Sequence, residues 1–89
     1  VRESIMESNE VFVRGIIDYS SVLADRSLGN MELASETGMW IIALKRDGRW
    51  IYDVDKHTVL RPGDVVLARG AREGMQHFTA LTTGEDREI

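Results

Sequence analysis

The sequence predicts a single small α+β domain with the element order β-α-β-β-β-α and a mixed sheet. Its length of 89 residues allows one domain at most. Two segments, residues 25–38 and 71–83, repeat apolar residues three positions apart, which is the spacing of one helical face. Four other segments are rich in the β-branched and aromatic residues that favour strands. These are residues 10–18, 40–46, 49–53 and 65–69.

The first strand, residues 10–18, is followed by a helix that is predicted from its apolar stripe and its boundaries. Leu28, Met31 and Ala34 lie on one face of this helix. Ser27 is of the residue type that caps helix N-termini, and Gly38 is of the type that ends helices. We therefore expect one helix over residues 25–38.

The stretch from residue 40 to residue 53 predicts a tight hairpin. Asp47-Gly48 separates two apolar runs, and this dipeptide is the strongest short-range signal for a two-residue turn. A hairpin with one solvated face would alternate apolar and polar residues, but both runs here are unbroken. We expect both faces to be covered, with Trp40 and Trp50 in a core or an interface.

A second turn precedes the last strand. Pro62 presets φ at the second position of a type II turn, and Gly63 supplies the positive φ that the third position needs. The final helix is predicted from Met75, Phe78 and Leu81, which share one face.

The domain boundaries follow from these elements. The chain begins with Val1 rather than methionine, so we interpret it as a piece of a longer protein or as a processed protein. We expect residues 1–9 to be the end of an upstream helix or a linker, residues 10–82 to form the domain, and residues 83–89 to be a flexible tail.

Composition excludes several classes of protein. A net charge of -4 with no basic block argues against nucleic-acid binding. The absence of cysteine excludes disulfides, thiolate catalysis and cysteine-based zinc sites, and it is compatible with a reducing cytoplasm. No apolar run approaches the ~18 residues of a membrane span, so we predict no insertion into the membrane.

No constellation of residues predicts catalysis or a metal site. His57 and His77 lie far apart in sequence, and surface positions are favoured over a ligand pair. Asp53 and Asp55 are favoured as turn residues over a cation site. We predict that the protein is not an enzyme.

Basic residues cluster at the tip of the hairpin. Lys45, Arg46 and Arg49 lie on either side of the Asp47-Gly48 turn. A solvated turn is the favoured interpretation, and an anion contact is the alternative.

Residues 21–70 carry three motifs in a fixed order and spacing. Together they resemble the RCK_C domain, the TrkA C-terminal ligand-binding module of potassium-channel and transporter regulators, over about residues 10–80. The matching positions are Ser21, Leu23, Ser27, Leu28 and Met31 in the first motif, Thr37, Gly38, Ile42, Ala43, Leu44, Arg46 and Gly48 in the second, and Thr58, Leu60, Gly63, Asp64, Leu67 and Gly70 in the third.

The resemblance implies a cytoplasmic regulatory module that binds a ligand and controls potassium or other cation transport. The chain looks most like archaeal proteins that join a PhoU-like helical domain to such a module, so the upstream partner would be a PhoU-like or a channel or transporter domain. Family members that bind cyclic di-AMP use polar residues near the end of the first helix and the start of the next strand. Ala34 and Trp40 stand in that stretch here. Cyclic di-AMP is therefore doubtful, and a nucleotide or a small anionic ligand remains open.

The resemblance also implies side-by-side dimerisation, which would cover the second face of the sheet. An apolar sheet face also needs a partner layer on physical grounds, and either another chain or the missing upstream domain would supply it. Of these two, we expect the symmetric homodimer that the resemblance implies. The alternative is a purely structural dimerisation domain of a PhoU-like protein without a ligand. The expected residues of the ligand site and dimer seam are Met31, Leu33, Ala34, Trp40, Ile41, Ile42 and Arg49.

Overall fold

The computed structural model describes residues 10–88 as two layers, a four-stranded sheet with helical segments on one side. The prediction made for residues 1–9 falls outside the described residues. No helix within residues 10–88 is long and apolar enough to cross a bilayer. The strands are β1 (Glu10–Ile16), β2 (Met39–Arg46), β3 (Arg49–Ile51) and β4 (Val65–Ala71). The helices are α1 (Leu33–Thr37) and α2 (Met75–Thr83), with 3₁₀ turns at Leu28–Asn30 and Arg72–Gly74.

The sheet confirms the α+β class but corrects the prediction of a mixed sheet. The strand order is β1-β4-β2-β3, and every neighbouring pair is antiparallel. A mixed sheet would require two strands that run in the same direction, such as β1 and β2, to be neighbours. Instead β4 lies between them. Its Val66 and Ala68 are completely buried, so β4 has the apolar character that a central strand needs.

The predicted helix over residues 25–38 is also corrected, because it is broken into a 3₁₀ turn and the five-residue α1. The backbone N–H groups of Leu28 and Gly29 donate to the carbonyl oxygens of Thr58 (2.9 Å) and Lys56 (2.8 Å). These bonds tie the segment to a distant loop, so its backbone is not available to a helix. The predicted end of the helix at Gly38 is confirmed, with φ at 75°.

The hydrophobic core lies between the helices and one face of the sheet. The predicted stripe on the last helix is confirmed, since Phe78 and Leu81 are completely buried and Met75 packs at the edge. The helix side of the sheet supplies the opposing surface. Its core residues are Val13, Met39, Ile41, Leu44, Val66 and Ala68.

The opposite face of the sheet, called the outer face below, is not covered within the described part of the chain. Strand register assigns it three rows of side chains across the strands. The rows are Phe12, Arg69 and Trp40; Arg14, Leu67 and Ala43; and Ile16, Val65, Lys45 and Trp50.

Both predicted turns form, and the second one anchors the hairpin. Gly63 has φ at 92°, and the Asp64 N–H donates to the Arg61 carbonyl at 3.0 Å, as in a type II turn. Asp64 is buried and accepts hydrogen bonds from Arg46 Nε at 2.9 Å and Nη2 at 2.6 Å. This bidentate pair locks the end of β2 to the turn before β4.

The backbone geometry of the hairpin turn at Asp47-Gly48 can be tested by substitution of Gly48. Asp47 and Gly48 both have positive φ, 54° and 78°, as a type I′ turn requires. An added Cβ at Gly48 would meet no atom within 4 Å. Gly48→Ala should therefore lower the free energy of unfolding by about 1 kcal/mol through backbone strain alone.

Gly48→Asn is the matched control for this prediction. Asparagine tolerates positive φ better than alanine, so its cost in urea denaturation should be smaller. An equal cost for the two substitutions would contradict backbone strain as the cause.

The division into domain and tail stays a prediction, although the start of the predicted tail contacts the body of the domain. His77 Nε2 lies 3.1 Å from Asp86 Oδ2. The Asp86 N–H donates to the Ala80 carbonyl at 3.0 Å, and Arg87 donates to the Ser20 carbonyl.

Candidate functional site

A groove of about 140 Å³ lies where α1 meets the beginning of β2. Its lining contains no charged side chain and no polar side chain. The lining residues are Leu28, Met31, Leu33, Ala34, Met39, Trp40 and Ile41. Such a surface binds apolar or aromatic groups rather than isolated charges.

The groove forms because the chain turns sharply from α1 into β2. Gly38 ends the helix with positive φ, and its N–H donates to the Ala34 carbonyl at 2.7 Å. The Thr37 hydroxyl donates to the Leu33 carbonyl at 2.7 Å and accepts from the Met39 N–H at 3.0 Å. These bonds hold the two lining segments at a fixed angle.

The groove adjoins an uncovered half of a strand. Within residues 10–88, β3 pairs with only Leu44, Lys45 and Arg46 of the eight-residue β2. The Ala71 N–H donates to the Gly38 carbonyl, so these two residues are opposite each other as a hydrogen-bonded pair where β4 meets the start of β2. By the alternation of an antiparallel ladder, the N–H and C=O of Trp40 point to β4, and those of Ile41 point to the uncovered edge.

Five of the seven residues predicted for the ligand site and seam line this groove. Met31, Leu33 and Ile41 are buried, Ala34 is half-buried, and Trp40 is 57% exposed. Trp40 is thus the lining residue with the largest surface still available to a ligand or a second chain.

The other two predicted residues lie elsewhere. Ile42 is half-buried at a bulge between Ile41 and Ala43, next to the groove. Arg49 lies at the hairpin tip in a separate depression that also contains Trp50. The structure therefore does not bring Arg49 into the groove.

The environment of Arg46 bears on the alternative of an anion contact at the hairpin tip. The hydrogen bond to Asp64 raises the pKa of Arg46 above its ordinary value, against the smaller opposing effect of burial. Arg46 Nη2 also donates to the Val59 carbonyl at 2.8 Å. Because Asp64 balances the charge of Arg46 and occupies its N–H donors, Arg46 stabilises the fold and is a poor binding group for an anion.

Two lining residues, Leu28 and Met39, were not among the predicted site residues. Leu28 was assigned to the helical stripe, and β2 was expected to begin one residue after Met39. The sequence could have indicated Met39, because it directly follows Gly38. A strand that begins immediately after a helix ends has its first residues next to the last turn of that helix.

The described residues offer no group of three His, Asp or Glu side chains that could hold a metal ion. Asp55 is a turn residue, as predicted. It accepts from the His57 N–H at 2.8 Å, and its own N–H donates to the Thr58 hydroxyl at 2.9 Å.

The described part of the chain is thus a small antiparallel α+β domain with an apolar groove beside a half-covered strand. The chain belongs to the TrkA-C domain family, whose model matches residues 12–83.

One relative of this chain is described as a potassium channel protein. The chain is 26% identical over 74 residues to "Probable potassium channel protein 2" of Methanocaldococcus jannaschii. The match covers 83% of this chain and 22% of the relative, so the chain spans about a fifth of that protein.

Solved structures share the fold. The RCK_C domain of S. agalactiae BusR, a dimer in complex with c-di-AMP, superposes with a TM-score of 0.68 at 21% identity, covering 82% of this chain and 94% of that one. The RCK C domain of the potassium transport protein KtrA, also with c-di-AMP, gives 0.69 at 20% identity, covering 85% and 87%. The GsuK RCK domain gives 0.70 at 17% identity, covering 90% and 18%.

Proposed function

We propose that this chain is a regulatory module that dimerises, binds a small ligand and controls potassium or other cation transport from the cytoplasmic side of the membrane. Membership of the TrkA-C family and similarity to a potassium channel protein support the link to transport. The single observation that carries the binding role is the apolar groove beside the uncovered half of β2. A channel or transporter domain, or a PhoU-like domain, would be the partner that receives the signal.

The uncovered edge supports a specific arrangement of the dimer. Two copies related by a twofold axis would pair their β2 strands antiparallel through the edge groups of Ile41, joining two sheets into one. Leu33, Ala34 and Trp40 of each copy would then lie near the seam. A groove of about 140 Å³ is small for a ligand, but two grooves meeting at the axis would approach the ~300 Å³ of the smaller ligand sites.

The chemistry of the lining limits the ligand. Trp40 offers an exposed ring against which a planar base can stack, and the rest of the lining is aliphatic or thioether. Phosphate groups would have to be held outside the groove, because its lining supplies no charged side chain. We therefore expect a ligand with a planar base in the groove and its phosphate groups outside the groove.

Thermal denaturation in the presence of candidate ligands tests this role, since a ligand that binds only the folded state raises the melting temperature. We expect a nucleotide or dinucleotide from a panel of adenine and guanine nucleotides, NAD, cyclic di-AMP and divalent ions to raise it. Trp40→Ala should abolish that increase, and Phe12→Ala, which removes an exposed aromatic ring two strands away, should preserve it.

The second candidate function is the purely structural dimerisation domain. The absence of polar side chains from the groove lining favours it. A folded dimer whose melting temperature responds to no member of the panel would contradict the ligand role and support this alternative.

A further inference from the structure

The outer face of the sheet is a second apolar surface, which meets the groove at Trp40. Phe12 is 65% exposed and Ile16 is 61% exposed, and both lie on β1 at the far edge from β3. Trp50, Val65 and Leu67 continue the surface and are half-buried. Contiguous apolar surfaces of this kind mark interaction sites more often than isolated exposed residues do.

This face carries positive charge in a chain that is negative overall. Arg14, Lys45 and Arg69 project from it, against Glu10, which lies 3.9 Å from Arg69. Arg14 and Lys45 each lie 5.9 Å from the centre of the Trp50 ring. The remainder of the chain must therefore be strongly acidic, because the total net charge is -4. The cations alternate with apolar side chains across the middle of the face.

We propose that the outer face docks an amphipathic helix of another protein, one with an apolar stripe flanked by Asp and Glu side chains. Such a helix would complete a three-layer domain with the sheet in the middle. Four strands at about 4.8 Å spacing place the outermost two about 14 Å apart, which about ten residues of helix can cross. Carboxylates on the flanks of the helix would reach Arg14, Lys45 and Arg69, and its stripe would cover Phe12, Ile16 and Trp50.

The charge pattern disfavours the other occupants. A second copy docked on the same face would bring three cations of each chain against three of the other. A lipid bilayer would bury Arg14 and Lys45, which flank Trp50, in its apolar interior without carboxylate partners. A nucleic-acid strand would gain only three cations on this face, from a chain whose net charge is -4.

Two synthetic helical peptides of about 18 residues test the proposal on the complete 89-residue chain. Both carry the same leucine stripe; one has glutamates on its flanks and the other has lysines. We expect the glutamate peptide to bind at least about tenfold more tightly, to shift the tryptophan fluorescence, and to weaken as salt is raised. Equal affinities, or no binding of either peptide, would overturn the proposal.

Charge reversal on the face makes the test specific. Arg14→Glu combined with Lys45→Glu should reverse the preference, so that the lysine peptide binds more tightly. The same two reversals at Lys56 and Arg72, which are exposed and lie off the outer face, should leave the preference unchanged. If neither double variant changes the ratio of the two peptide affinities, the peptide binds elsewhere and the proposal is overturned.

Two further measurements separate the alternative occupants. Binding to vesicles of phosphatidylserine and phosphatidylcholine, without binding of the glutamate peptide, would assign the face to a membrane and overturn the proposal. Loss of self-association in Phe12→Ser would assign the face to a second copy, with the same consequence. Because Phe12, Arg14 and Lys45 do not line the groove, a negative result here leaves the proposed regulatory function intact.

Discussion

Asp64→Ala is expected to lower the free energy of unfolding by about 3 kcal/mol. The Asp64 side chain is 3% exposed and accepts three hydrogen bonds, two from Arg46 and one at 2.8 Å from the Arg61 N–H. Its removal leaves the Arg46 guanidinium without its counter-ion and the turn without its acceptor. Because 28% of the Arg46 side chain stays accessible to water, the loss should fall at the lower end of the range for a broken buried pair.

A double-mutant cycle identifies the source of this loss. Arg46→Met alone should cost a similar amount, because it leaves a buried carboxylate with only a backbone partner. The double variant should be less destabilised than the sum of the two, by about 1–3 kcal/mol, in urea denaturation. Additive losses would show that the two side chains stabilise the domain independently.

The exposed pair of Arg69 and Glu10 is the matched control. Both side chains are about half exposed and 3.9 Å apart, so Arg69→Ala should change the free energy of unfolding by less than about 1 kcal/mol. A loss as large as that of Asp64→Ala would contradict burial as the reason for the difference.

The turns of this fold could be predicted from sequence because their geometry depends on adjacent residues. Asp47-Gly48 and Pro62-Gly63 each require positive φ at positions where the chain has Gly or Asp. The pairing of Arg46 with Asp64 spans 18 residues and carries no local signal. Both residues belong to the motifs of the family, but only the folded chain shows why they occur together.

The errors concern elements that long-range backbone contacts decide. Residues 25–38 have a helical stripe, but Leu28 and Gly29 bond to the loop at residues 56–58 instead of to their own segment. The position of β4 between β1 and β2 is likewise a tertiary outcome, since any of the apolar strands could have been central by composition.

The candidate site was predictable in part. Unbroken apolar residues in β2 predicted that both faces of the strand would be covered, and coverage of the outer face stays a prediction, since Trp40 is 57% exposed within the described residues. Most of the predicted seam residues meet at one groove. The bulge between Ile41 and Ala43 interrupts the alternation of the strand, so the sequence could not assign Ile41 to the core and Ile42 to an intermediate position. Arg49 is one of the basic residues at the hairpin tip, and its place at the start of β3 does not bring it to the start of β2.

The dimer itself provides the other large effect. The wild-type chain should sediment at about twice its mass of 10.1 kDa at micromolar concentration, and Trp40→Asp should sediment as a monomer. The substitution places a carboxylate at the seam on both chains, so one change introduces two like charges that the interface would bury. Ile41→Asp would not separate the effects, because Ile41 packs in the core of its own chain. Trp40 is 57% exposed, so its substitution should leave the protomer folded by circular dichroism.

Phe12→Asp is the matched control, since Phe12 is an exposed aromatic residue on β1, separated from β2 by β4. It should remain a dimer if the copies pair through the β2 edge. Dissociation by both variants would instead indicate that the copies pack through the outer face, which Trp40 and Phe12 share. A wild type that sediments as a folded monomer would contradict the dimer altogether and leave the β2 edge for another domain to cover. We expect dissociation by Trp40→Asp alone, because β3 does not pair with the first half of β2 and leaves that edge open to a second copy.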